Sequence, residues 1–263
     1  MNIYVMTGKI RQNKTTAGNI QKGLYIGADG CRGGWTAAIL QNGQLSLKRC
    51  KTIREVLNTY PDFDAFLIDM VIGLRSRRQE MRPDDMARKE LGYRASTVFS
   101  APCRQAVYAP DHETMRQENI RILGKSLSAQ TLNIIPKIRE LDELLEECPQ
   151  YKNRLLESHP ELCFARLNGA VVMSRKKEEE GLRERISILE AYLPADSLND
   201  IRMKASELKC SPDDAVDAVC LAVAAMLHSA GRSEVIPVKP QKDEKGLYMK
   251  LTVPVKRREG KKV

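Results

Sequence analysis

Leu24-Tyr-Ile-Gly-Ala-Asp-Gly30 and Ala65-Phe-Leu-Ile-Asp-Met70 are two short runs, mostly apolar, that each carry an aspartate near the C-terminal end, and what lies between them decides the fold. The first run passes through a glycine-rich turn, Gly30-Cys-Arg-Gly-Gly34, into a second run from Trp35 to Leu40. Asn42-Gly43 follows, and then Leu45 to Lys48. An Asn-Gly pair between two such runs supplies the positive φ angles of a type I′ hairpin, so three antiparallel strands are expected. Ile53, Val56, Leu57 and Tyr60 recur at helical spacing before Pro61 stops the helix. Ala65 to Met70 then reads as an interior strand covered on both faces.

Working outward, the segment from Leu74 to Pro149 reads as mainly helical. Pro83-Asp-Asp85 and Gly92 frame one short helix, His112 to Gly124 a second, and Leu127 to Cys148 a longer third. Leu155 to Ser158 returns to the sheet as a fifth strand, and Pro160 opens a helix that ends near Gly169. The charge run Arg175-Lys-Lys-Glu-Glu-Glu180 reads as an exposed loop or helix start. Two helices fill 182–208, a further helix spans 213–230, and Val235–Val238 with Leu247–Val253 forms a final hairpin. The expectation is α/β: one domain over 23–255 with a mixed five-stranded sheet, flanking helices, a helical insertion at about 75–150 and a C-terminal hairpin. A flexible leader is expected at 1–22 and a basic tail at 256–263.

The chain has 43 Lys and Arg against 34 Asp and Glu, a net charge of +9, which points to an acidic partner such as nucleic acid or a phosphate ligand. Aromatic residues make up only 5%, which argues against base stacking as the main binding device. The seven cysteines contain no Cys-x-x-Cys pair and the three histidines are scattered, so reduced thiols are expected and a structural zinc cluster is not. No run approaches the ~20 apolar residues that span a bilayer, so the expectation is a cytoplasmic protein without a membrane anchor.

Four aspartates stand out as chemistry. Asp29 ends a strand and is followed by Gly30, so its carboxylate can stand at the sheet edge while the chain turns tightly. Asp69 is the only polar side chain in Phe66-Leu-Ile-Asp-Met-Val-Ile72, and a buried carboxylate needs hydrogen bonds, a cation or a proton. Ser211-Pro-Asp-Asp214 has capping-box form, which accounts for Asp214. It does not account for Asp217, a turn inside a helix that is otherwise apolar all round and three residues on from Asp214. Glu157 would end the fifth strand, and Glu161 and His159 follow it closely. Arg75, Arg77, Arg78, Arg82, Arg88, Arg94 and Arg104 cluster after Asp69, and Arg32 lies near Asp29. Of these, Arg32, Arg75, Arg88, Arg94 and Arg104 are the candidates for holding phosphate, since a guanidinium suits bidentate phosphate recognition.

Strand, strand, strand, helix, strand is the opening order of the ribonuclease H fold. Ile26-Gly-Ala-Asp-Gly-Cys-Arg-Gly-Gly-Trp35, Ile68-Asp-Met-Val-Ile-Gly-Leu74, Arg82-Pro-Asp-Asp-Met-Ala-Arg88, Ser96-Thr-Val-Phe-Ser-Ala-Pro102, Glu157-Ser-His-Pro-Glu-Leu-Cys-Phe164 and Asp213-Asp-Ala-Val-Asp-Ala218 resemble the domain of unknown function 429 family, described as predicted nucleases of ribonuclease H-like fold. Asp214-Ala-Val-Asp-Ala218 also resembles the late helix of the RuvC resolvase, where Asp-Ala-Ala-Asp-Ala supplies metal-binding aspartates. The resemblance implies a metal-dependent nuclease with Asp29, Asp69, Asp214 and Asp217 as ligands, and Glu157, from its place at the strand end, could add a ligand or a proton carrier to the catalytic set. Mg²⁺ or Mn²⁺ would be the cofactor, as two ions bridged by Asp29, and nucleic acid the partner. Nucleotide-dependent phosphoryl transfer on a related core, or a non-catalytic nucleic-acid-binding or scaffold protein, are the alternatives.

Overall fold

A computed structural model describes residues 22–257; residues 1–21 of the expected leader and the last six residues of the basic tail lie outside the described residues. β1 (Leu24–Cys31), β2 (Gly34–Gln41) and β3 (Gln44–Cys50) form an antiparallel meander. Asn42 and Gly43 both take positive φ, 50° and 82°, as a type I′ turn requires. Helix α1 (Ile53–Thr59) starts from Thr52, whose side chain accepts the Glu55 N–H, and leads into β4 (Ala65–Asp69). β4 runs parallel to β1, and β5 (Leu155–Glu157) runs parallel to β4. The strand order is β3-β2-β1-β4-β5.

Four helices between β4 and β5 make up the insertion: α2 (Asp84–Leu91), α3 (Arg104–Tyr108), α4 (His112–Leu123) and α5 (Ala129–Glu147). After β5 come α6 (Pro160–Asn168), α7 (Glu179–Glu190), α8 (Ile201–Glu207) and α9 (Pro212–Ser229). β6 (Ser233–Ile236) and β7 (Leu251–Pro254) pair antiparallel as a separate small sheet. Its second strand is shorter than the sequence pattern predicts. Leu247 and Met249 are buried but belong to the connecting loop, so their apolar character reflects core contact rather than strand pairing.

The sheet separates two cores. Along β1, β2 and β4 the side chains alternate. Tyr25, Ala38, Leu40, Ala65 and Leu67 pack with α6 and α9, whereas Ile26, Ala28, Ala37, Ile39, Phe66 and Ile68 pack with α1 and α5. Helix α9 is apolar all round because it is buried all round. It meets β1 at Gly27, where a Cβ would stand 2.1 Å from the Ala218 carbonyl oxygen and 2.2 Å from the Ala222 nitrogen. Only glycine permits that approach.

Ion pairs fasten the insertion to the rest. Buried Arg82 binds Glu157 of β5 and Asp84 of α2, and donates to the Ile72 carbonyl at 2.9 Å. Arg104 pairs with Asp142 at 2.8 Å and with buried Asp243, which also accepts the Leu74 N–H at 2.9 Å.

Gly27→Ala is expected to destabilise the fold by about 3 kcal/mol or more, because the added methyl meets backbone that cannot move aside. Chemical denaturation of the two proteins measures this; a loss under about 1 kcal/mol would show that α9 does not rest on β1 in this way.

Candidate active site

Strand parity builds the site. Gly27 faces α9, and two residues later so does Asp29; Ala65 and Leu67 face α9, and two residues later so does Asp69. The parallel register pairs Asp29 directly with Asp69. Helix α9 then brings Asp217, the residue before the Ala218 that touches Gly27, to the same edge, with Asp214 one turn earlier. The four predicted aspartates therefore converge. Asp29, Asp69 and Asp214 line a cleft of about 230 Å³ together with Glu157, His159, Lys137 and Lys176, and Asp217 lies beneath it, 1% exposed.

The electrostatics of this cluster are those of carboxylates short of positive charge. Burial, reinforced by the negative fields of Asp69 and Asp217, pushes Asp29 well above the usual carboxylate range. Burial also raises Asp69, which lies within hydrogen-bonding reach of Asp29 and is pulled back by His159 and Lys176. Asp217 is pushed up to about 6 by burial against the pull of Lys176, and Asp214 is raised by burial as well.

Lys176 is the residue that sequence reasoning missed. Its charge run was expected to be an exposed loop or helix start, and most of the run is exposed. Lys176 instead turns inward: its Nζ lies 2.5 Å from Asp217 Oδ2 and 3.9 Å from Asp213 Oδ2, with Asp29 and Asp69 close enough to stabilise its charge. The signal was indirect, since three acids in Asp213-Asp-Ala-Val-Asp217 demand a cation from elsewhere in the chain. Lys137 was missed too. It lines the cleft beside Gly30 but donates to the Gly34 carbonyl at 2.6 Å and stacks over Trp35, so it fastens the β1–β2 turn.

Glu157 lines the same cleft, but parity gives its side chain a different set of partners from the aspartates. Leu156 faces α9, so Glu157 points to the opposite side of its strand. There its Oε2 accepts the Ile72 N–H at 2.8 Å and its Oε1 binds Arg82, while burial raises it to about 8. Glu161 is held by Arg185 through both carboxylate oxygens, each at 2.8 Å, and by Arg94 at 3.2 Å. His159 shares a hydrogen bond with the Thr97 carbonyl through Nε2 at 3.2 Å, and its Nδ1 is buried without a partner. A carbonyl only accepts, so Nε2 carries a proton.

The five candidate phosphate ligands separate. Arg32 is exposed and lines a hollow of about 590 Å³ that adjoins the cleft, alongside Lys176 and Lys177. Arg75 lines a different cavity with Arg78 and Lys125. Arg88 donates to the Val98 carbonyl at 2.8 Å, and Arg94 and Arg104 are held by carboxylates as described. Among the described residues, no three His, Cys, Asp or Glu side chains stand as a ready metal-binding set.

A family model described as a protein of unknown function (DUF429) matches residues 27–242. The chain belongs to that family. The matched span contains every aspartate of the cleft as well as Lys176 and Glu157, so the charged residues of the candidate site lie within the family's region. Comparison with curated proteins and with solved structures finds no match.

A carboxyl raised in the fold above its ordinary 3.8 favours the folded state at low pH, and that contribution is lost as pH rises through its folded value, about 6 for Asp217. Removing the ammonium deepens this loss. Lys176→Met is therefore expected to match the wild type more closely at pH 5 than at pH 8, where the deficit reaches about 2 to 3 kcal/mol. Thermal melts at the two pH values read it directly; a deficit that is equal or larger at pH 5 contradicts the assignment.

Proposed function

We propose that the protein is a divalent-cation-dependent hydrolase of phosphodiester bonds, a nuclease built on a ribonuclease H-like core. One observation carries the reading: Asp29 and Asp69, paired in register at the ends of adjacent parallel strands, line one cleft with Asp214, and buried Asp217 of the same apolar helix lies beneath it. Buried carboxylates in such a group stabilise no core and are costly unless a cation answers them. The strand order β3-β2-β1-β4-β5, with an antiparallel meander followed by two parallel strands, agrees with the fold that the sequence resemblance implies.

The donor atoms are of the type a hard cation takes, although their side chains do not stand as a ready ligand set. Their donors are carboxylate oxygens, which suit Mg²⁺ or Mn²⁺ rather than zinc. Asp217 Oδ1 is buried and has no hydrogen-bond partner, an orphaned acceptor aimed at no protein donor. Asp29, Asp69 and Asp217 would hold the ion, with Asp214 at the rim. When bound, the ion supplies polarisation of a phosphoryl group and activation of water for in-line attack.

The chain's own residues supply the rest. His159 Nδ1 accepts a proton beside Asp69 while Nε2–H stays on the Thr97 carbonyl. Arg32 and Lys177 in the adjoining hollow attract the anionic backbone of a nucleic acid, in keeping with the net charge of +9. Arg82 holds Glu157 and Asp84, both of which border the cleft, and so shapes its wall. All seven cysteines are free thiols, which supports a reducing, cytoplasmic setting. No helix among the described residues is long and apolar enough to cross a membrane.

Single-stranded, duplex and branched nucleic acids incubated with Mg²⁺ or Mn²⁺ test the proposal. The wild type should cleave at least one of them, and Asp69→Asn should lose about 100-fold or more in rate. The variant should melt no lower than the wild type, because it removes one of several mutually repelling carboxylates. Equal rates in the two proteins, or no cleavage by the wild type on any substrate, would overturn the assignment.

A further inference from the structure

A second hollow, of about 290 Å³, lies in the helical insertion and shares Asp84 with the carboxylate cleft as a common wall. Six charged residues line it: Arg75, Arg78, Arg82, Asp84, Asp85 and Lys125. Arg82 and Asp84 are taken up with each other, Arg82 further with Glu157 and Asp84 with the Ala101 N–H at 3.0 Å. Asp85 is exposed. Arg94 and Arg104 each have a carboxylate partner, but among the described residues Arg75, Arg78 and Lys125 have none. Arg75 Nε is moreover buried with no hydrogen-bond partner, a donor that calls for an explanation.

The backbone holds these three cations at the hollow. Glu80 accepts the Ser76 N–H at 2.7 Å and the Arg77 N–H at 3.1 Å, and the Arg75 carbonyl accepts the Arg104 N–H at 2.8 Å, which fixes the turn between Arg75 and Arg78. Buried Asn119 of α4 accepts the Cys103 N–H at 2.8 Å and donates to the Lys125 carbonyl at 2.7 Å. Gly124 ends α4 at a φ of 71°, and a Cβ on it would stand 3.4 Å from Arg78 Cζ, so the Arg78 guanidinium lies against the residue before Lys125. Ser100 and Ser126 add hydroxyls to the lining. Like charges gathered in this way repel, and an anion rich in oxygen offsets the repulsion while accepting from all of these donors.

We propose that this hollow is a binding site for a phosphate monoester group, separate from the carboxylate cleft. Arg75 and Arg78 meet the phosphate oxygens with guanidinium N–H pairs, and Lys125 adds a point charge. With Arg82 and Asp84 occupied by each other, the three free cations against Asp85 leave a surplus of positive charge. That surplus suits a monoester, which approaches two negative charges at neutral pH, better than a singly charged backbone diester. Two sources carry such a group: free phosphate, and the phosphorylated end of a nucleic-acid strand. Phe99 lines the cleft and the next residue, Ser100, lines the hollow, so a strand end leaving the cleft has a short way to go. The site itself does not depend on the cleavage proposed above.

Titration calorimetry of the full chain at neutral pH in EDTA, which removes divalent ions and so prevents cleavage, tests the site. The probes are inorganic phosphate and a short single-stranded oligonucleotide with either a terminal phosphate or hydroxyls at both ends. The wild type should bind phosphate in at least one of these forms, and Arg78→Gln and Lys125→Gln should each weaken that binding about 10-fold or more. Both residues are exposed, so both variants should melt as the wild type does. Arg121→Gln removes the same charge from an exposed residue of α4 that pairs with Glu118 outside the hollow, and it should bind like the wild type. Tighter binding of the phosphorylated strand than of the hydroxyl-ended one, lost in the two variants, assigns the group to a strand end. Equal binding of the two strands with inorganic phosphate still held assigns it to free phosphate. No binding of phosphate in either form, wild-type affinity in Arg78→Gln and Lys125→Gln, or an equal loss in Arg121→Gln would overturn the inference and leave the proposed function standing.

Discussion

Taking a carboxylate out of water costs several kcal/mol unless an opposite charge and hydrogen bonds meet it, and this protein buries Asp29 and Asp217 at one point, with Asp69 half-buried between them and the cleft. The ammonium of Lys176 makes that burial tolerable. The loop that carries it must then be anchored, which Arg185, donating to the Ser174 carbonyl, and Gly181, close against Arg175, accomplish, and Arg185 must itself be neutralised, which Glu161 at the start of α6 accomplishes. The requirement passes outward through Arg94, the second partner of Glu161, into the insertion. A chain of paired charges therefore runs from the cleft into the surrounding helices, and each member is there because the one before it is buried.

The carboxylates themselves are brought together by backbone geometry alone. Parity along β1 and β4 turns Asp29 and Asp69 to one face, register sets them side by side, and the close approach of α9 at Gly27 delivers Asp217. None of the three positions depends on a loop. Sites placed on strand ends and a buried helix are held more precisely than sites on loops, which suits chemistry that needs charge at fixed points.

Much of this could be read from the residues. The opening meander, the interior strand ending on Asp69 and the buried late helix follow from period-two and all-apolar patterns with clear turn signals, and these elements carry the aspartates. What could not be read is partnership across sequence. Lys176 looks like any lysine in a charged run, and only the fold shows that its run passes over α9. Arg94 and Arg104 look like a phosphate-binding patch but are held by Glu161, Asp142 and Asp243, all far from them in sequence. Glu157 has the strand-end position of a ligand and lines the cleft, yet its carboxylate is taken up by Arg82 and the Ile72 N–H. Local pattern gives the elements and the candidates; which charges pair is decided by tertiary contact.

The central claim, that the carboxylate cluster is a cation site, is tested most directly by a crystal grown at neutral pH, soaked in Mn²⁺ and measured for anomalous scattering. The account predicts an anomalous peak within about 2.2 Å of carboxylate oxygens of Asp29, Asp69 and Asp217, with Lys176 still bound to Asp217. A cleft with no peak, in which the carboxylates keep only Lys176 for company, would contradict it.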